Sequence, residues 1–239
     1  VLRKDYPMLD VAQARVVLIE ASDRILASFP PGLQRRAARR LRKMGVEVRL
    51  NTAVADVQDG AVLFKGGDQL AAETVVWAAG VRAAALADAL PVALGRSARV
   101  RVLSTLNLPD QPDVFVVGDM AYLETYKPGQ AYPMVAQVAM QQGRQAGRNI
   151  LALIAGEPLR PFSYFDKGQM ATIGRRAAVF DAFGVRLSGL LAWMGWLFIH
   201  IIYLIGFRNR LVVLANWVYN YLTYDRGVRL ITGGPGDNP

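Results

Sequence analysis

Four consecutive apolar residues, Val16 to Ile19, end at Glu20 and a polar turn, the pattern of a strand buried on both faces of a parallel sheet. Pro30 and Pro31 then open a segment in which Leu33, Ala37, Leu41 and Met44 recur at helical spacing until Gly45 stops it. Val46, Val48 and Leu50 alternate as the next strand. Strands around residues 61–64 and 74–78 are predicted on either side of the turn KGGDQ, and a further buried strand over residues 114–117. A long helix is predicted from near Pro133 to Gly156, followed by β structure across FDKGQMATIGRRAAVFDAFGVRL. This alternation is an α/β pattern.

The last third changes character. Residues 187–207 carry no formal charge and are bracketed by Arg186 and Arg208. As one helix they would extend roughly 31 Å, the thickness of a bilayer core. Ser188, Gly195 and Gly206 would then form a narrow stripe of small residues that permits close helix packing, with the bulky remainder free to enter lipid. A membrane span and an interfacial helix are both compatible with this pattern, and a buried core helix is the plain alternative. Residues 211–224 follow with Trp217, Tyr219, Tyr221 and Tyr224.

With 239 residues, 53% of them hydrophobic, the chain is not a disordered polymer. It contains no cysteine, which excludes disulfides, iron–sulfur clusters and thiol redox chemistry, and one histidine, His200, which rules out a histidine-rich metal site. The formal charge of +9 raises the question of acidic partners. The basic run Arg35, Arg36, Arg39, Arg40, Arg42 and Lys43 lies on one amphipathic helix and lacks interleaved aromatics, so it does not read as a nucleic-acid site. A solvated face is the first reading and an anionic membrane surface the second. The chain opens at Val1 with no signal-like segment, and it reads as a piece of something longer.

Four groups of residues carry candidate chemistry. Glu20, at a strand end, is placed either to accept hydrogen bonds from both hydroxyls of an adenosine ribose or simply to cap a turn. The glycine-rich turn that accompanies such an acid lies about 20 residues upstream in dinucleotide folds, beyond the first residue here. TVVWAAGV delivers Ala79 and Gly80, where a missing Cβ lets a cofactor approach backbone, or where a strand simply turns. VFVVGDM delivers Gly118 and Asp119 at a strand end, where an acid can accept from a ribityl hydroxyl; a plain Gly-Asp turn is the alternative. PMVAQVAMQQG sets Gln137 and Gln141 on one helix face beside Ala136 and Ala139. That surface can lie beneath an aromatic ring, although glutamines of a soluble helix ordinarily face water.

In order and spacing, strand-Glu20, TVVWAAGV, VFVVGDM and AQVAMQQG resemble the type II NADH:quinone oxidoreductases, and FDKGQMATIGRRAAV with SGLLAWMGWLFIHIIYLIGFRNRL resembles their C-terminal region. The resemblance runs from about Val16 to Thr232. It implies an α/β fold: parts of two Rossmann-like nucleotide-binding domains in three layers, then a C-terminal α+β membrane-attachment region. The corresponding divisions are residues 1–82 for the end of the NADH-binding domain, 83–156 for the returning part of the FAD-binding domain, and 157–239 for the membrane and quinone-access region. It further implies FAD as cofactor, NADH as substrate, and transfer of a hydride to flavin and two electrons to quinone without proton pumping.

Carried over by position, Glu20 would hold the NAD ribose, Ala79 and Gly80 would border the nicotinamide cofactor, and Gly118 with Asp119 would meet the FAD ribityl chain. Ala136 and Gln137 would contact the isoalloxazine, and Gln137 with Gln141 would line the quinone pocket as the catalytic pair. The expected partners are quinone and membrane lipid, with a homodimer left open. The expected place is the cytoplasmic face of a bacterial membrane, with attachment to one leaflet favoured over a span. Trp193, Trp196 and Trp217 are the expected interface anchors, and Arg208, Arg210 and Arg226 the contacts to acidic headgroups. No lysine in residues 187–207 supplies a catalytic group, and Lys167 receives no role. Both glycine-rich phosphate turns are absent, so the chain alone is expected to be inactive, as the C-terminal half of an enzyme. Sulfide:quinone oxidoreductases and disulfide reductases need cysteines that this chain lacks. A soluble-acceptor flavoprotein and a non-catalytic membrane adaptor remain the alternatives.

Overall fold

The computed structural model describes residues 14–124, 129–204 and 206–223. It divides into two compact units, one made of Val1–Glu73 and Gly168–Pro239 and the other of Thr74–Lys167.

The first unit is built on a βαβ element. Strand β1 (Val16–Ile19) pairs in parallel with β2 (Val46–Arg49), Val16 opposite Val46 and Ile19 opposite Arg49, through helix α1 (Pro31–Lys43). Pro31 opens α1, where its missing N–H costs no helical bond, and Gly45 at φ +85° turns the chain out of it. A meander β3 (Val54–Gln58), β4 (Ala61–Phe64) and β5 (Gln69–Ala71) follows. The same unit holds a second antiparallel meander, β8 (Gln169–Gly174), β9 (Ala177–Ala182) and β10 (Val185–Gly189), which packs on α1. Ile25, Phe29, Leu33 and Ala37 meet Val179 in one buried cluster that joins the two ends of the chain. Two details fix this packing. Gly174 leaves room for Met44, whose Cε would stand 3.1 Å from a Cβ there, and at Gly168 a Cβ would collide with Ala182 backbone at 2.5 Å.

The second unit contains little regular sheet. Strands β6 (Val100–Arg101) and β7 (Ala121–Tyr122) form a two-residue parallel pair, and helix α2 (Ala136–Ile154) supplies the framework. One cluster buries Ala87, Val100, Leu108, Val116 and Ala121, and a second buries Leu106, Leu123, Ala146 and Phe162.

Three predicted elements are corrected. Residues 74–78 are not a strand: the third strand of the hairpin is β5, and Val76 and Trp77 stand 83% and 65% exposed. Residues 114–117 make only an isolated bridge, Asn107 to Phe115, because the chain folds back on residues 106–108 for too short a stretch to build a ladder. Helix α2 begins at Ala136 and not near Pro133, since Val135 is extended at φ −137°.

The uncharged run 187–207 is also not one helix. Its first residues belong to β10. Gly189 at φ +81° then starts helix α3 (Leu190–Tyr203), Leu204 is extended, and helix α4 (Phe207–Thr223) follows. Ser188 and Gly206 therefore lie outside the helix that carries Gly195, and the stripe of small residues does not form. The fourteen residues of α3 span about 21 Å, well short of a bilayer core. No helix among the described residues is long and apolar enough to cross a membrane.

Candidate functional site

In the second unit, VFVVGDM ends in a tight turn, Gly118–Met120, pressed against α2. Gly118 has φ +68°, and a Cβ on it would stand 3.2 Å from the Ala139 Cβ, so glycine is needed for both conformation and approach. The Gly118 N–H donates to Gln142 Oε1 at 2.7 Å. Gln142 is fully buried, and its Nε2 has no partner among the described residues. Asp119 is exposed beside this clamp.

Arg99 lies beneath the same turn, 6% exposed. It donates to the carbonyl of Tyr132 at 3.0 Å and to that of Ala121. Burial pulls its guanidinium below the usual range, and the charges of Asp119 and Tyr122 act against that fall. Sequence reading missed both residues in these roles. ARVRV looks like an exposed alternating segment, and nothing local distinguishes Gln142 from its neighbours.

Gln137 and Gln141 occupy another face of α2, roughly 150° around the axis from Ala139 and Gln142 at 100° per residue. Gln141 Nε2 donates to the Phe165 carbonyl at 2.9 Å while its Oε1 accepts from the Phe165 N–H at 3.0 Å. Gln137 Oε1 accepts from the Lys167 N–H at 3.3 Å. These amides therefore strap residues 165–167 to the helix. The N-terminal end of α2 has no side-chain cap, and Ala136 is exposed there. Tyr164 sits beside this strap, with its phenol pushed up to about 12 by burial and by the neighbouring Asp166 charge. Ala79 and Gly80 are exposed in the same unit, Gly80 at φ +108° with open space around it.

In the first unit, Glu20 follows β1 and is half-buried. Its Oε1 accepts from the Ser22 N–H at 2.8 Å, so the turn-capping role is realised by one oxygen. Among the described residues the carboxylate makes no other hydrogen bond.

The C-terminal helices of this unit form an aromatic seam. Trp196 stacks on His200 at 3.9 Å and on Trp217 at 6.1 Å, and Trp193 meets Tyr221 at 5.8 Å. Arg175 lies over the Tyr221 ring, 4.5 Å from its centroid, and ties α4 to the β8–β9 turn. Arg210 caps the end of α3 through the carbonyls of Leu204 and Ile202. The tryptophans are thus half-buried, and Leu191, Phe198 and Phe207, each about two-thirds or more exposed, carry the uncovered apolar face. Arg208 is exposed, and Arg226 lies outside the described residues.

Residues 8–143 match the pyridine nucleotide-disulphide oxidoreductase family, and residues 167–224 match the NDH2 C-terminal domain. The chain belongs to the pyridine nucleotide-disulphide oxidoreductase family. Its resemblance to the type II NADH:quinone oxidoreductases, read from linked motifs, is borne out. It is 39% identical to type II NADH:quinone oxidoreductase Ndh of Mycobacterium tuberculosis over 97% of this chain and 51% of the relative. It is 37% identical to NdhA of the same organism over 92% of this chain and 48% of the relative. The chain thus spans about half the length of these curated relatives. A structure of NDH2 from Plasmodium falciparum in complex with NADH matches with TM-score 0.78 at 14% identity, covering 90% of this chain and 59% of that one. That likeness is one of fold, and it bears out the α/β, Rossmann-like class expected of this family member.

Proposed function

We propose that this family member is part of an FAD flavoprotein that oxidises NADH and passes the electrons to a membrane quinone without pumping protons. The single observation that carries the reading is the Gly118–Asp119 turn clamped on α2. A Cβ on Gly118 would crowd Ala139, Asp119 is exposed beside it with no hydrogen bond among the described residues, and the uncapped start of α2 lies at the next turn. This donor set fits a flavin. Asp119 accepts from the ribityl chain, Gly118 allows close approach, and the N-terminal end of α2 at Ala136 and Gln137 favours negative charge on the ring. FAD, when bound, supplies the two-electron carrier between nicotinamide and quinone.

The chain's own residues hold and orient. Glu20 has carboxylate capacity left to take a ribose hydroxyl, which favours NAD over a 2′-phosphorylated form. Ala79 and Gly80 border the nicotinamide. Gln137 and Gln141, fixed by residues 165–167, present a rigid amide surface that lines the quinone pocket and excludes water. The functional divisions are residues 1–82 for NADH, 83–156 for FAD, and 157–239 for quinone access and membrane attachment. The exposed apolar face of α3 and α4 rests in one leaflet on the cytoplasmic side, with Arg208 toward acidic headgroups.

The test is a spectrum of the protein as its gene encodes it. Bound flavin absorbance that bleaches on NADH and returns on a soluble quinone is expected. A preparation free of flavin, or one bleached by NADH but not reoxidised by quinone, overturns the reading.

A further inference from the structure

The basic residues of α1 divide between two tasks. Arg36 donates to Ser188 Oγ at 2.9 Å and Arg40 to the Arg175 carbonyl at 3.3 Å, so both serve the packing of α1 on the C-terminal sheet. Arg35, Arg39 and Arg42 recur at i, i+4, i+7 on another face and, with Lys43, are exposed. Among the described residues none of these four is ion-paired. Together with Arg24 they rim a concavity of about 580 Å³ floored by Ile25, Ala38 and Leu50. The one carboxylate there among the described residues, Asp23, is taken by Arg24 through two bonds of 2.6 and 2.5 Å.

Helix-dipole stabilisation accounts for Arg42 and Lys43, which lie in the last turn. It does not account for Arg35, near the N-terminal end, or for Arg39 beside it. The four cations without a carboxylate partner among the described residues, set around one hollow, repel each other unless an anion shares them. Among the described residues no aromatic side chain lines the hollow to stack a base, which argues against nucleic acid. Arg35, Arg39 and Arg42 line the open depression from α1 and Arg24 lines it from the turn after β1, so cations from two segments share it, which favours a small anion over a bilayer.

We propose that this hollow binds a multivalent phosphate anion free in solution, with separate guanidinium groups taking separate phosphate oxygens. The site shares no residue with those assigned above to FAD, NADH or quinone, so its failure leaves that reading untouched.

The experiment titrates the protein as its gene encodes it with inorganic triphosphate by calorimetry, at low and at physiological salt. Saturable binding is expected, weakening by about tenfold or more in Arg35→Glu/Arg39→Glu. Both positions are exposed, so this variant keeps its fold. Lys65→Glu/Arg96→Glu makes the same change in net charge at exposed positions outside the hollow and should bind as the parent does. Three results would overturn the proposal: no saturable binding, equal loss in the two double variants, or binding to phosphatidylglycerol vesicles through Arg35 and Arg39 with none to triphosphate.

Discussion

Helix α2 and the α3–α4 pair treat their surfaces in opposite ways. On α2 almost every polar group near the site is committed: Gln142 to Gly118, Gln141 to Phe165, Gln137 to Lys167. On α3 and α4 the polar groups close the turn between the helices, while Leu191, Phe198 and Phe207 are left bare. A buried N–H without an acceptor is costly, so the bonds that are made hold the Gly118 turn and residues 165–167 in place on α2. Exposed leucine and phenylalanine cost the fold little but favour transfer into an apolar phase. One region is built for position and the other for adhesion.

The comparison breaks most visibly on the adhesive side. Leu191→Glu/Phe198→Glu should weaken partition of the protein into lipid vesicles by more than about a hundredfold, taking about 1.5–3 kcal/mol for each of the two apolar side chains. Its denaturant midpoint should barely move, because both side chains already face outward. Parent-like flotation with vesicles would remove the adhesive role from this face.

The positional side should respond in stability. Gln142→Leu leaves the buried Gly118 N–H without an acceptor and should cost about 1–3 kcal/mol of unfolding free energy. Arg99→Met should cost a similar amount, about 1–3 kcal/mol, by stripping donors from the carbonyls of Ala121 and Tyr132. Changes below about 0.5 kcal/mol in urea melts, the level of ordinary surface substitutions, would show that these bonds do not hold the turn.

How far these regions could be read from the chain differs in the same way. The βαβ element was legible because β1 is a short apolar run, β2 alternates apolar and charged residues, and α1 carries its own start and stop signals, although β1 is only half-buried, with Val16 exposed, and not covered on both faces as expected. The run at 187–207 misled because hydropathy counts charge and apolar mass but does not register backbone turns. Gly189 and Gly206 at positive φ, with extended Leu204 between α3 and α4, break what looks like one segment. Thr74 to Ala78 reads as a strand from its β-branched residues, yet a strand needs a ladder partner, and among the described residues it has none. At the site, Gly118 and Asp119 were legible as a Gly-Asp turn after an apolar run, although that run makes only an isolated bridge and not the expected strand. The clamp by Gln142 was not, since it joins positions 24 apart and depends on how the helix is rotated.

The smallest effect is spectroscopic. Tyr164 is held protonated in the fold, with its pKa raised to about 12, so it favours the folded state fully below the ordinary phenol range and loses that contribution as pH rises through about 12. Phenolate absorbance should show one tyrosine ionising after the exposed ones. A titration in which Tyr164→Phe removes only an ordinary transition would place that phenol in open solvent.

The most direct test of the central claim is the flavin content of the gene-encoded protein carrying Asp119→Ala, normalised to folded protein. If the Gly118–Asp119 turn and the start of α2 seat the ribityl chain, FAD affinity should fall by about tenfold or more, the loss expected when a hydrogen bond to a charged group is removed. Full retention of FAD by the folded variant would contradict the account.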